Sequence, residues 1–154
     1  MEAVEANPIL CELINAKFGA EVQAGRLVVE NCVVTAEGDS GPIDFYIHKL
    51  YHALSQLPPP MPSEVDNFEN VVLPSKTISD LLKTHGDPYY IKVDIEHYDA
   101  PLLKGLFNAG VFPPFISAES HSIEVFSLLV TQGRYDAFKL LTPVSSQKIT
   151  QIVQ

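Results

Sequence analysis

The chain has 154 residues, of which 46% are hydrophobic. This is enough for one domain with its own core and too little to predict two. A net charge of −9 at pH 7 disfavours binding to nucleic-acid backbones or anionic lipid surfaces. No apolar run approaches the roughly 18 residues needed to cross a bilayer, and the first residues lack the pattern of a secretory signal, so we expect a cytoplasmic protein.

The first third of the chain predicts a strand, a helix and a second strand, followed by a third strand at the periphery. Residues 3–4 end a strand, and Pro8 opens a helix. Its apolar face contains Leu10, Leu13, Ile14 and Phe18. The β-branched run 27–34 predicts a second strand, closed by a turn at 37–41. Residues 43–48 alternate apolar and polar side chains, which predicts an antiparallel or peripheral strand.

Residues 57–70 form the one compositionally biased segment. It carries four prolines between positions 58 and 62, followed by three acidic residues. This composition predicts a polar, semi-rigid loop, and loops of this kind often cover a site.

The second half repeats the strand–helix alternation. Residues 71–73 predict a strand, and Thr77 and Asp80 have the spacing of a capping box for a short helix that Gly86 ends. Residues 89–95 predict a strand, with Asp99 as the N-cap of the next helix and Pro101 in its first turn. Residues 115–118 and 137–141 predict two more strands, which flank a helix whose apolar stripe contains Ile123, Phe126, Leu129 and Val130.

This order predicts an α/β fold with a mostly parallel sheet flanked by helices, in a single domain over residues 1–154. Ligands of such sheets bind at the carboxyl ends of the strands. Glu5 stands at one such end, where a carboxylate accepts hydrogen bonds from ribose hydroxyls or simply favours a helix N-terminus. Both interpretations of Glu5 remain open from the residues alone.

Three ionisable side chains share one face of the strand at residues 89–95. Alternation places Lys92, Asp94 and Glu96 together, and burying them unpaired would cost several kcal/mol. They are therefore paired, solvated in a cleft or engaged with a ligand. The alternative is a Lys92–Asp94 ion pair on an edge strand.

Other candidate sites are weaker. Glu119 and His121 follow the strand at 115–118 and, with Asp94 and Glu96, compose a candidate set of metal ligands for a hydrolase. No short-range ligand motif supports it, so no metal is predicted. Cys11 and Cys32 have no CxxC spacing and are expected to be ordinary buried thiols. His48, His52 and His85 are expected at the surface, although His52 could also help to shape a ligand pocket.

Five ordered segments carry a resemblance to a known family. They are VEANP at 4–8, NCVV at 31–34, TISDLL at 77–82, YIKVDIE at 90–96 and FISAE at 115–119. Together they resemble the FkbM-type class I methyltransferases, which have a Rossmann-like fold and use S-adenosylmethionine as cofactor. The resemblance implies O-methylation of a hydroxyl on a small molecule or sugar.

The resemblance also implies roles for particular residues. Glu5 and Asn7 would bind the cofactor, Glu5 at the ribose hydroxyls. Asn31 and Cys32 would lie beside the adenine. Asp94 and Glu96 would be the catalytic residues near the methyl-transfer centre, one of them accepting the hydroxyl proton.

Two departures from the family pattern bear on activity. His97 stands where the family has glycine after its second carboxylate, and the first strand and glycine-rich turn that precede the 4–8 segment in the family are missing. That strand would occupy the centre of the sheet, between the strands ending at Glu5 and Asp94. We therefore expect marginal stability, direct pairing of those two strands, or self-association through the exposed central strands. A catalytically inactive remnant or interaction module that keeps the fold is the alternative function.

Overall fold

The computed structural model describes residues 1–38, 41–119 and 122–140. Within these ranges the chain forms five α-helices and seven strands. The helices are α1 Pro8–Lys17, α2 Gly19–Gln23, α3 Ile78–His85, α4 Asp99–Asn108 and α5 Ile123–Thr131. The strands are β1 Glu2–Val4, β2 Val28–Glu30, β3 Val33–Thr35, β4 Pro42–His48, β5 Phe68–Thr77, β6 Tyr90–Val93 and β7 Phe115–Ala118.

The described strands form three small sheets. β1 pairs with β2 and β6 pairs with β7, both in parallel, whereas β5 lies between parallel β3 and antiparallel β4. The predicted mixed α/β class and the antiparallel β4 are confirmed. The prediction of one mostly parallel sheet is wrong for the described residues, because no ladder joins β1 to β6 and the expected direct pairing of these strands is not formed.

Most of the core is one cluster of side chains from α3, α4, α5 and the β6–β7 sheet, with α4 packed against both other helices. Leu103, Leu106 and Ile116 at its centre are at most 1% exposed. A second cluster, Val33, Phe45, Ile47 and Leu73, belongs to the three-stranded sheet. The burial of this apolar surface is the main term that stabilises the fold.

The predicted strand 27–34 is divided in two. The side-chain amide of Asn31 donates to the carbonyl oxygens of Glu5 and Ala6, both at 2.9 Å, where a ladder would otherwise continue. The chain therefore stops pairing with β1 after Glu30 and begins to pair with β5 at Val33.

Two helices begin and end as their local sequences predict. Pro8 is the first residue of α1, and Thr77 and Asp80 form the predicted capping box of α3. Gly86 ends α3 with a φ of 80°, a conformation that glycine adopts without strain. Tyr98, rather than the predicted Asp99, is the N-cap residue of α4, because Asp99 is buried and accepts the Ile95 N–H at 3.4 Å.

The predicted buried faces of α1 and α5 are partly wrong. Leu13 is 59% exposed on α1, where Cys11 is buried instead. On α5, Ile123 is 80% exposed, whereas Val125, Leu128 and Leu129 are buried. Both helices carry more apolar residues than the single face that has a packing partner, so periodicity alone does not select the buried one.

The connection between β4 and β5 is tied down at its base. The Lys49 N–H donates to the Asn67 carbonyl at 2.9 Å, and Tyr46 and Gln56 exchange two backbone hydrogen bonds. The predicted proline-rich loop 57–70 ends earlier, because β5 begins at Phe68. Single 3-10 turns occur at His52–Leu54 and Val65–Asn67.

The predicted strand 137–141 is not formed over residues 137–140, and residue 141 lies outside the described residues. Among the described helices, none combines the length and apolar character required to cross a membrane.

Candidate ligand-binding cavity

A cavity of about 410 Å³ lies at the carboxyl ends of β1, β6 and β7. Four carboxyl side chains from these ends line it: Glu5, Asp94, Glu96 and Glu119. Its size is that of a small-molecule site. The four carboxyl groups that follow strands in the sequence therefore share one concavity.

Glu5 follows β1 directly. Its Oε1 accepts the Asn7 backbone N–H at 2.8 Å, which fixes the carboxyl at the start of α1. Burial raises the pKa of Glu5, and the backbone N–H groups of Asn7 and Ala6 partly offset this effect. A carboxylate that is half-buried and held by its own chain is already oriented for a ligand donor.

Asp94 and Glu96 enter the cavity after β6 ends at Val93. Lys92 forms an ion pair with Asp94, as the alternative interpretation of this strand predicts. Asp94 also lines the cavity, so the ion pair and a ligand-facing position occur together. Lys92 and Asp94 are 62% and 45% exposed, which makes the pair weak in water.

His97 occupies the left-handed region, with a φ of 63°. A non-glycine residue in this region costs roughly 1–2 kcal/mol. The backbone after Glu96 therefore has the conformation for which glycine is suited, and His97 adopts it despite its side chain.

Asn31 and Asn7 have structural roles in this state. Asn31 does not line the cavity and instead bridges the backbone after β1. Asn7 is 1% exposed and caps α1, its Oδ1 accepting the Ile9 N–H at 3.0 Å. Both residues position the segment that carries Glu5.

Cys32 lines the cavity and is 4% exposed. Burial, and secondarily the charge of Glu30, raises the pKa of its thiol to about 11. Cys11 is also buried, and both cysteines are free. The two residues are buried thiols, as the sequence predicts.

His52 lines the cavity. Its sequence context favours a surface position but also allows it to help shape a ligand pocket, and its Nδ1 lies 3.2 Å from Nδ2 of Asn7. The two residues are 45 positions apart. No short-range pattern could connect them.

The described residues contain one group with the geometry of metal ligands, and it lies elsewhere. Donor atoms of Glu2, Glu30 and His85 are within 4.8 Å of one another. Lys76 forms an ion pair with Glu30, so the ammonium group of this lysine already occupies the position that a metal ion would take. Of the alternative hydrolase ligands, His121 lies outside the described residues, and Asp94, Glu96 and Glu119 do not form such a group.

Comparison with known proteins identifies no relative: no protein-family model, curated protein or solved structure matches this chain.

Proposed function

We propose that this chain is an S-adenosylmethionine-dependent methyltransferase of the FkbM type that methylates a hydroxyl of a small molecule or sugar. The observation that carries the proposal is the convergence of Glu5, Asp94 and Glu96 on one cavity, although they follow different strands. These are three of the residues to which the family resemblance gives cofactor-binding or catalytic roles.

The charge of the cavity fits the cofactor. Four carboxyl groups line it, and no lysine or arginine does. S-adenosylmethionine carries a positively charged sulfonium, which such a lining stabilises through a short-range Coulomb interaction. A ligand whose main charge is a phosphate would be repelled.

Each carboxylate has a distinct task in this proposal. Glu5, oriented by the Asn7 N–H, accepts hydrogen bonds from the two ribose hydroxyls. Asp94 or Glu96 accepts the proton of the acceptor hydroxyl as its oxygen attacks the sulfonium methyl in line. The protein accelerates this displacement mainly by holding donor and acceptor in contact.

A Rossmann-like arrangement is part of the proposal. Two parallel strand pairs, β1–β2 and β6–β7, contribute to the cavity from their carboxyl ends, as ligand sites of doubly wound sheets do. β1 and β6 have one ladder each within the described part of the chain, so each keeps one edge that no described strand pairs with. We propose that these edges support self-association of the chain.

A non-catalytic remnant or interaction module is the second candidate. It is favoured by the separation of β1 and β6, because two-stranded sheets hold their strand ends less rigidly than one continuous sheet. Such a chain would keep the cavity but bind the cofactor weakly.

Calorimetric titration with S-adenosylmethionine tests the proposal. The wild type is expected to bind at micromolar concentration, and Glu5→Ala should weaken binding by about tenfold or more, because hydrogen bonds to a charged group are lost. Glu12→Ala is the matched control, since Glu12 is an exposed acid on α1 outside the cavity. Absence of binding to the folded wild type, or equal binding by both variants, would contradict the proposal.

A further inference from the structure

The geometry points to His52 as a hydrogen-bond donor for an uncharged oxygen of the cavity's ligand, fixed in that role by Asn7. A histidine among carboxylates would ordinarily be taken for a general base. The hydrogen bonds of Asn7 argue against that role, and they do so without reference to any ligand.

The orientation of the Asn7 amide is settled by the start of α1. Its Oδ1 accepts the Ile9 N–H at 3.0 Å, as an N-cap residue requires. A flipped amide would set its NH₂ group against that N–H, leaving two donors facing each other. At 1% exposure, Asn7 has no water to relieve such a clash of donors.

The fixed amide then determines the tautomer of His52. Nδ2 of Asn7 faces Nδ1 of His52 at 3.2 Å, and an amide nitrogen can only donate. Nδ1 must therefore be the accepting nitrogen, which places the proton of the neutral ring on Nε2. That nitrogen has no hydrogen-bond partner among the described residues, and its N–H remains available to a ligand.

The surrounding charges define the ligand group that His52 recognises. Glu5, Asp94, Glu96 and Glu119 line the same cavity, so an anionic oxygen placed against His52 is disfavoured. An uncharged hydroxyl or carbonyl oxygen accepts the Nε2–H without that cost. Within the proposed function this oxygen belongs to the methyl acceptor, beside the hydroxyl that reacts, so the ligand class rests on the proposed function whereas the tautomer does not.

Nitrogen NMR of the histidine rings tests the tautomer. At mildly alkaline pH the wild type should show a protonated Nε2 and an unprotonated Nδ1 at His52. Asn7→Asp keeps a capping oxygen but replaces the donor with an acceptor, so His52 should move its proton to Nδ1. Asn7→Ser caps α1 without reaching His52 and should give a mixture. A proton on Nδ1 in the wild type, or identical spectra in all three proteins, would overturn the inference.

Titration with methyl α-D-glucopyranoside, followed at the His52 ring nitrogens, tests the ligand class. The sugar should perturb Nε2, and sodium acetate should not. His52→Phe should weaken sugar binding by about tenfold, whereas His52→Gln, whose amide still donates, should retain most of it. No response to the sugar up to its solubility limit, or equal binding by the phenylalanine variant, would contradict this assignment.

Binding of S-adenosylmethionine separates this inference from the proposed function. It should depend on Glu5. A chain that shows the Nε2–H tautomer and binds the sugar but not the cofactor would support the inference and refute the methyltransferase proposal.

Discussion

At the scale of single residues, the cavity depends on side chains whose polar atoms are already engaged by their own chain. The Glu5 carboxyl accepts the Asn7 backbone N–H. The side-chain amide of Asn7 accepts the Ile9 N–H through its oxygen and donates to His52 through its nitrogen. Such prior engagement restricts rotamers and lowers the entropy that a ligand must overcome. Glu5, whose pKa is raised by burial, makes folding less favourable when it is ionised.

His97 provides a residue-scale prediction. Its φ of 63° is strained for a residue with a Cβ. We expect His97→Gly to increase the free energy of unfolding by roughly 0.5–1 kcal/mol, since the relieved strain exceeds the added backbone entropy of glycine. Urea denaturation measures this. His97→Ala, which keeps the Cβ, should gain nothing, and equal stabilisation by both variants would show that the side chain and not the backbone is responsible.

At the scale of elements, patterns that depend on near neighbours were predicted well. The capping box of α3, its termination at Gly86 and the bounds of β7 involve residues a few positions apart. The buried faces of α1 and α5 depend on which helix or strand packs against them, which the sequence does not state. The division between β2 and β3 depends on Asn31, whose amide bonds to backbone 25 and 26 residues away.

The contact of α4 with the turn after β3 gives an element-scale prediction. A Cβ on Gly105 would lie 2.8 Å from the Ala36 carbonyl oxygen. Backbone cannot yield as a flexible side chain does, so Gly105→Ala should destabilise the protein by about 1–3 kcal/mol despite its better helix propensity. Gly19→Ala, in α2 with open space around it, is the control and should not destabilise. Unchanged thermal stability of Gly105→Ala would refute this packing.

The ion-pair group of Glu2, Glu30, Lys76 and His85 joins four elements. Glu30 lies on β2, and its pKa is lowered, first by the hydrogen bond from Lys76. A lowered carboxyl pKa stabilises the fold above the ordinary value of 4.5, and this stabilisation is lost as the pH falls through the folded value. The pKa of Glu2 is raised by burial, so the ionised form of Glu2 makes the fold less stable.

Glu30→Gln should therefore lower the free energy of unfolding by about 0.5–1 kcal/mol at pH 7, and the difference should vanish well below pH 4. Denaturant titrations across this pH range measure it. Glu21→Gln, which removes a pair with Arg26 in which both side chains are more than 40% exposed, should have no effect at either pH. A loss that persists at low pH would assign the role of Glu30 to packing.

At the scale of the whole molecule, the sequence predicted a fold that mixes helices and strands, but not the division of the described strands into three sheets. Four of the candidate site residues named from the sequence line the cavity, namely Glu5, Cys32, Asp94 and Glu96. Glu5, Asp94 and Glu96 line one cavity although β1 and β6 belong to different sheets among the described strands. Whether β1 and β6 join depends on what pairs with their remaining edges, a long-range property that no local pattern carries. His52 reaches the cavity from the connection after β4, and its contact with Asn7, 45 positions away, is visible only in the folded chain.

Backbone-amide NMR during titration with S-adenosylmethionine tests the central claim most directly, because it locates the bound molecule as well as detecting it. The account predicts saturable shifts at Glu5, Asp94, Glu96 and Glu119, with little change around Glu30 and His85. Saturable shifts confined to residues outside the cavity, or none in the folded chain, would contradict it.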